Sequence, residues 1–158
     1  MIRNIRGAAG QKTDDELYRA FNMEAIKEKP MQSLSGGTWQ KVSATLAFMF
    51  NPDVFILDEP TAGLDPAASE ILKEKINKEK KRGKLVLITS HILSDLDELT
   101  TDVMYLQEGH LQLFDSLANI KEYTAEERLG RAIAKLMQND FGKETLQTGI
   151  VQNSHSLS

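Results

Sequence analysis

Apolar residues along the first fifty positions recur at helical spacing in two stretches. Between Thr13 and Phe21, Leu17, Ala20 and Phe21 share one face, and Thr13 followed three residues later by Glu16 has the pattern of an N-terminal cap. Lys27-Glu28-Lys29-Pro30 breaks the period. It resumes with Trp39, Val42, Leu46 and Met49, which predicts a helix from about Gly37 to Phe50, capped by Ser35 and stopped by Asn51-Pro52. Trp39 and the Met49-Phe50 pair are expected in the core or at a helix interface.

The pattern then changes. Val54, Phe55, Ile56 and Leu57 form a short unbroken apolar run ending in two acids, as expected of a strand buried on both faces of a parallel sheet. Asp65-Pro66 reads as a cap and first-turn proline, opening a helix that runs to Gly83. The charges in that helix alternate in sign at four-residue spacing and predict a solvated face. Leu85 to Ser90 predicts a second buried strand. Ile92 to about Leu99 predicts a short helix opened by Ser94 and Asp97. Val103–Gln107 and His110–Phe114 straddle Glu108-Gly109 and predict a hairpin. Helices are expected near Leu117–Tyr123 and Ala125–Met137, and a frayed tail from Asn139. Strand, helix, strand, helix and hairpin in that order predict an α/β fold with a largely parallel sheet.

Composition narrows the classes. A length of 158 residues suits one domain or a piece of a larger one, and 41% hydrophobic with 27% charged residues is enough for a core. The net charge of -4 gives no overall basic field, so no nucleic-acid partner is expected. Absence of cysteine excludes disulfides and thiolate metal sites. No apolar run approaches the ~18 residues of a membrane span, and the basic N-terminus lacks the apolar stretch of a secretory signal. Work at a membrane would require recruitment by a partner.

Four short stretches carry candidate chemistry. Asp58-Glu59 ends an apolar strand, at the edge where open α/β sheets bind ligands. One carboxylate there can hold Mg2+ and the other can orient and deprotonate water, a division suited to phosphoryl transfer. Leu34 to Gly37 puts Ser35 and the N–H groups of Gly36 and Gly37 at a helix N-terminus, which favours an anion. His91 closes the second strand at the same sheet edge, where an imidazole can contact a phosphate. Thr61 to Pro66 is a turn and helix cap by its chemistry alone. Each stretch taken singly also fits an ordinary junction or cap. His110 and His155 read as structural or solvated, and the three histidines lack metal-ligand spacing.

Together, and in this order, "LSGGTWQK", "VFILDEP", "AGLDP" and "ITSH" resemble the second half of an ABC transporter ATP-binding subunit, over about residues 13 to 123. The resemblance implies a partial P-loop NTPase-like core with part of the helical subdomain and a C-terminal hairpin. It divides the chain into a partial helical subdomain (1–50), the C-terminal part of the ATPase core (51–123), a C-terminal helix (124–138) and a tail (139–158). By position it implies that Asp58 holds Mg2+, Glu59 is the general base and His91 contacts the γ-phosphate. Ser35, Gly36 and Gly37 would contact the γ-phosphate of an ATP held by a second ATPase subunit, and Asp65 would communicate across that dimer. The implied partners are ATP, that second subunit and a transmembrane permease, at the cytoplasmic face of a membrane. The flanking pattern is similar to exporter-type, multidrug and maturation ATPases, including the copper-processing transporter of nitrous oxide reductase maturation. Alternatives within the resemblance are a non-transport ABC ATPase, or a catalytically silent module that lends its signature to a complete partner.

No Gly-x4-Gly-Lys-Ser/Thr string occurs in the chain. The nearest, Gly7 to Thr13, has Gln11 in place of the last glycine, no preceding strand, and a position far closer to the signature than the family has. It cannot wrap backbone N–H groups around phosphates and bring a lysine to them. Two expectations follow: the sheet exposes an edge or face, and the isolated chain is a poor ATPase.

Overall fold

The computed structural model describes residues 13–138, which form two compact units, residues 13–91 and residues 92–138. The string at residues 7–12, His155 and the tail from Asn139 lie outside the described residues.

The first unit begins with helix α1 (Glu16–Ala20). Asp15, not Thr13, is its N-cap residue, and the Asp14 carboxylate accepts the Glu16 N–H at 3.0 Å. Two 3₁₀ turns, Met23–Ile26 and Met31–Ser33, lead to helix α2 (Gly36–Met49). Strand β1 (Val54–Asp58) is followed by helix α3 (Pro66–Lys81) and strand β2 (Leu85–Thr89). β1 and β2 pair in parallel, Val54 opposite Leu85 through Asp58 opposite Thr89. The helix is the crossover that parallel pairing requires.

One face of this two-stranded sheet is covered. Phe55 and Leu57 are buried, as are Leu17, Phe48, Leu72 and Ile76. The Phe48 and Phe55 rings stack with centroids 4.4 Å apart. The opposite face carries Val54, Ile56, Leu85 and Leu87, all exposed, with Ile56 at 75%. β1 therefore alternates between buried and open positions and β2 between half-buried and open ones, in place of the two-sided burial expected of the two apolar runs. The expected open face is present.

Helix α3 departs from its predicted solvated face. Lys73, Lys75 and Glu79 are buried. The Lys75 ammonium lies 2.6 Å from Asp14, 2.9 Å from Glu16 and 2.9 Å from Glu79, and Glu79 also meets Arg82 and Lys84. Burial alone opposes a charged Lys75, yet the three carboxylates outweigh it and raise its pKa. Alternating charge along a helix thus serves a buried link between α1 and α3. Trp39, expected in the core or at a helix interface, is about half exposed at 49%, while Met49 is buried.

The second unit comprises helix α4 (Leu93–Leu99), the antiparallel strands β3 (Asp102–Gln107) and β4 (His110–Ser116), and helices α5 (Leu117–Thr124) and α6 (Leu129–Gln138). Glu108 and Gly109 both have positive φ, 51° and 77°, which matches the twist of a two-residue hairpin turn. Its core joins Val103, Leu117, Ile120, Leu129, Ala132 and Ile133. Two boundaries differ from expectation. Ala125 takes a left-handed conformation, φ 55°, that ends α5, so α6 starts at Leu129 and not at Ala125. Asp97 does not open α4. Its carboxylate accepts the Leu129 N–H at 3.0 Å and pairs with Lys121 at 2.7 Å. Ile92, without a side-chain cap bond, precedes α4.

Candidate functional site

The C-terminal end of β1 gathers three of the residues singled out in the sequence. Asp58 is the last strand residue and is exposed. Its carboxylate accepts from the Thr89 hydroxyl on the neighbouring strand. Glu59 leaves the strand with φ 45°, a left-handed conformation that costs about 1–3 kcal/mol for a non-glycine residue. Its N–H still continues the pairing, donating to the Thr89 carbonyl at 2.9 Å.

The Glu59 carboxylate is held by the start of the segment after β2. The His91 backbone N–H donates to Oε1 at 2.9 Å, His91 Nδ1 lies 2.8 Å from the same oxygen, and the Ser90 hydroxyl donates to Oε2 at 3.3 Å. The His91 side chain, first among these, holds the Glu59 carboxyl below the ordinary glutamate range. Glu59 is therefore ionised at neutral pH. The His91 ring is 77% exposed, so it remains open to a ligand.

Ser35 caps α2 as its sequence predicts. Its hydroxyl accepts the Thr38 N–H at 3.3 Å and shares a hydrogen bond with the Thr38 hydroxyl at 2.8 Å. The adjacent glycines have different surroundings. A Cβ on Gly36 would meet open space, whereas one on Gly37 would lie 2.6 Å from the Gly63 carbonyl oxygen. Close packing against the Gly63 loop is thus sufficient reason for glycine at 37. Asp65 caps α3, accepting the Ala68 N–H at 2.9 Å, and its carboxylate pairs with Lys41 at 2.6 Å. That lysine foremost lowers the Asp65 pKa.

Two site residues were not singled out by sequence reasoning. Gln40 donates its side-chain amide to the carbonyls of Glu59, at 3.1 Å, and Pro60, at 3.0 Å. Lys41 reaches Asp65. Both follow Gly37 by three and four residues, so they share its helix face, and that spacing was the available signal. Among the described residues no group of three or more histidine and carboxylate side chains could hold a metal by itself. The exposed Asp58 carboxylate is a hard oxygen donor of the kind that suits Mg2+ when phosphate and water supply the remaining ligands. No helix among the described residues is long and apolar enough to cross a membrane.

Comparison with known proteins finds ABC transporter ATP-binding proteins. The family described as ABC transporter matches residues 3–62. An ABC transporter ATP-binding protein of Caldanaerobacter subterraneus is 31% identical over 119 residues, 75% of this chain and 48% of that protein. The lantibiotic transport ATP-binding protein of Streptococcus pyogenes is 34% identical over 109 residues, 67% of this chain and 48% of that protein. Human ATP-binding cassette sub-family A member 13 is 35% identical over 120 residues, 76% of this chain and 2% of that protein. A solved ATP-binding subunit of an ABC transporter superposes with a TM-score of 0.70 at 29% identity, covering 77% of this chain and 51% of that one. The chain thus spans about half the length, or less, of the relatives it matches.

Proposed function

We propose that this chain, which belongs to the ABC transporter ATP-binding family, contributes the signature, the catalytic carboxylates and the switch histidine of an ATP-hydrolysing subunit that drives a membrane permease. The observation that carries the proposal is the Glu59 carboxylate fixed on His91 beside Asp58 at the end of β1.

In this reading Glu59, ionised at neutral pH as a glutamate ordinarily is, accepts the proton of the attacking water. Asp58 would hold Mg2+, which would supply positive charge against the phosphates. His91, with its ring mostly exposed, contacts the γ-phosphate. Ser35, Gly36 and Gly37 present the N-terminus of α2 to the γ-phosphate of an ATP carried by a second subunit, where unpaired N–H groups and the helix dipole favour the anion. Asp65, through Lys41, ties that helix to the loop after β1. The subunit acts at the cytoplasmic face of a membrane, on a permease partner, without nucleic acid.

Because the 158 residues carry no phosphate-cradling glycine loop, ATP must be gripped by a loop from outside them. The test is Mg-ATP hydrolysis by the full chain, alone and mixed with a loop-bearing ABC ATP-binding subunit. No turnover alone, and a stimulated mixture that loses at least about tenfold of the stimulation on Glu59→Gln, is the expected result. A second reading, a silent module lending its signature, is favoured by the intact Ser35 cap. It is identified by stimulation that survives Glu59→Gln and disappears with Ser35→Arg. An unstimulated mixture overturns both.

A further inference from the structure

We propose that Gln40 is a positioning residue for Glu59: by donating to two successive carbonyls it fixes the left-handed turn that aims the Glu59 carboxylate at His91. The inference deepens the reading of Glu59 as the base, and rests on that reading only for its catalytic consequence.

Glu59 is a non-glycine residue in a conformation that L side chains disfavour, so something must hold it there. Its N–H is tied to Thr89. The next residue is Pro60, which has no N–H, so the peptide linking the two can be anchored only through the Glu59 carbonyl oxygen. Gln40 donates to that oxygen at 3.1 Å and to the carbonyl of the following peptide, Pro60 O, at 3.0 Å, and the Ala62 N–H adds a second bond to Glu59 O at 3.1 Å. A glutamine that merely filled space would need neither carbonyl. Gln40 is itself fixed by its helix, which abuts the same loop at Gly37–Gly63 and at Lys41–Asp65. Helix α2 therefore grips residues 59–65 at three points, and only the Gln40 point bears on the direction of Glu59.

The experiment is amide hydrogen exchange on the full chain. The His91 N–H, bonded to Glu59 Oε1, reports where that carboxylate stands. In Gln40→Met, which keeps the length of the side chain and removes its donors, the His91 amide should exchange about tenfold faster. The Ala68 and Leu85 amides should keep their rates. Gln40→Glu, whose carboxylate cannot donate, should behave alike, while Lys41→Met should leave His91 protected. An unchanged His91 amide in Gln40→Met overturns the proposal, and so does a uniform rise at all three amides, which marks a general structural role. In the stimulated ATPase mixture, Gln40→Met should lower kcat about tenfold with KM for ATP unchanged; an unchanged kcat beside a loosened His91 overturns Glu59 as the base and leaves its positioning by Gln40 standing. If the unmodified mixture hydrolyses nothing, the ATPase reading fails, and the exchange comparison still decides the role of Gln40.

Discussion

Gly37 and Gly63 lie in backbone contact so close that a methyl group on Gly37 would stand 2.6 Å from the Gly63 carbonyl oxygen. The contact seats the first turn of α2 against the loop that follows β1. The clash partner is backbone and not a side chain that could swing aside, so the loop or the helix would have to shift.

Gly37→Ala should destabilise the chain by about 1–3 kcal/mol. Gly36→Ala, with open space around its Cβ, should be neutral or slightly stabilising. Urea unfolding of the two variants side by side measures the difference. Equal effects would contradict the close approach.

Lys75 is the centre of a buried charge cluster, with its side chain 1% exposed and that of Glu79 at 2%. Lys75→Met should cost roughly 3 kcal/mol, since it strands carboxylates that the fold has taken out of water. Lys75→Met combined with Glu79→Gln should recover part of the loss. Chemical denaturation of the single and double variants checks this; a harmless single substitution would mean that water reaches the site.

Acid should unfold the chain partly through the same cluster. Burial, the largest influence on the Glu79 carboxyl, pushes its pKa up, but Lys75 and Lys84 together bring it below the ordinary value; Lys78 and Lys75 lower that of Glu16. A carboxyl depressed on folding stabilises above its unfolded pKa, and that contribution disappears as pH falls through the folded value. Stability should therefore be level near neutrality and decline below about pH 4, where ordinary glutamates protonate. Glu79→Gln should flatten the decline when thermal midpoints are followed against pH.

Val54, Ile56, Leu85 and Leu87 form a contiguous apolar face across the β1–β2 pair. Ile56→Lys, at a position 75% exposed, should reduce self-association of the chain and change its stability by no more than about 0.5 kcal/mol. Light scattering against concentration, paired with unfolding curves, tests both halves of that statement.

Local rules were enough at several caps and turns, though not at Thr13, Asp97 or Ala125. Ser35 and Asp65 cap their helices because a short acceptor precedes a helical run, and Glu108-Gly109 turns the hairpin with Gly109, which takes positive φ without a Cβ penalty. The parallel pair and the assembly of Asp58, Glu59 and His91 at one sheet edge followed from two apolar runs that end in polar groups. What pattern could not decide is which surface each element turns inward. Lys75 and Glu79 look solvated by spacing, yet they are buried because Asp14, distant in sequence, comes within 2.6 Å. The unbroken run at Val54 to Leu57 looks buried on both faces, but a strand presents alternate residues to opposite sides, and one of those sides is uncovered among the described residues. Gln40 carries only its helical spacing from Gly37 until the turn at Glu59 offers it two carbonyls. The sequence by itself determined most of the elements, the caps at Ser35 and Asp65 and the placing of Asp58, Glu59 and His91 at one sheet edge, since these depend on neighbours along the chain. Tertiary structure alone decided the buried charges and the grip of α2 on Glu59, since these depend on contacts between residues far apart in sequence.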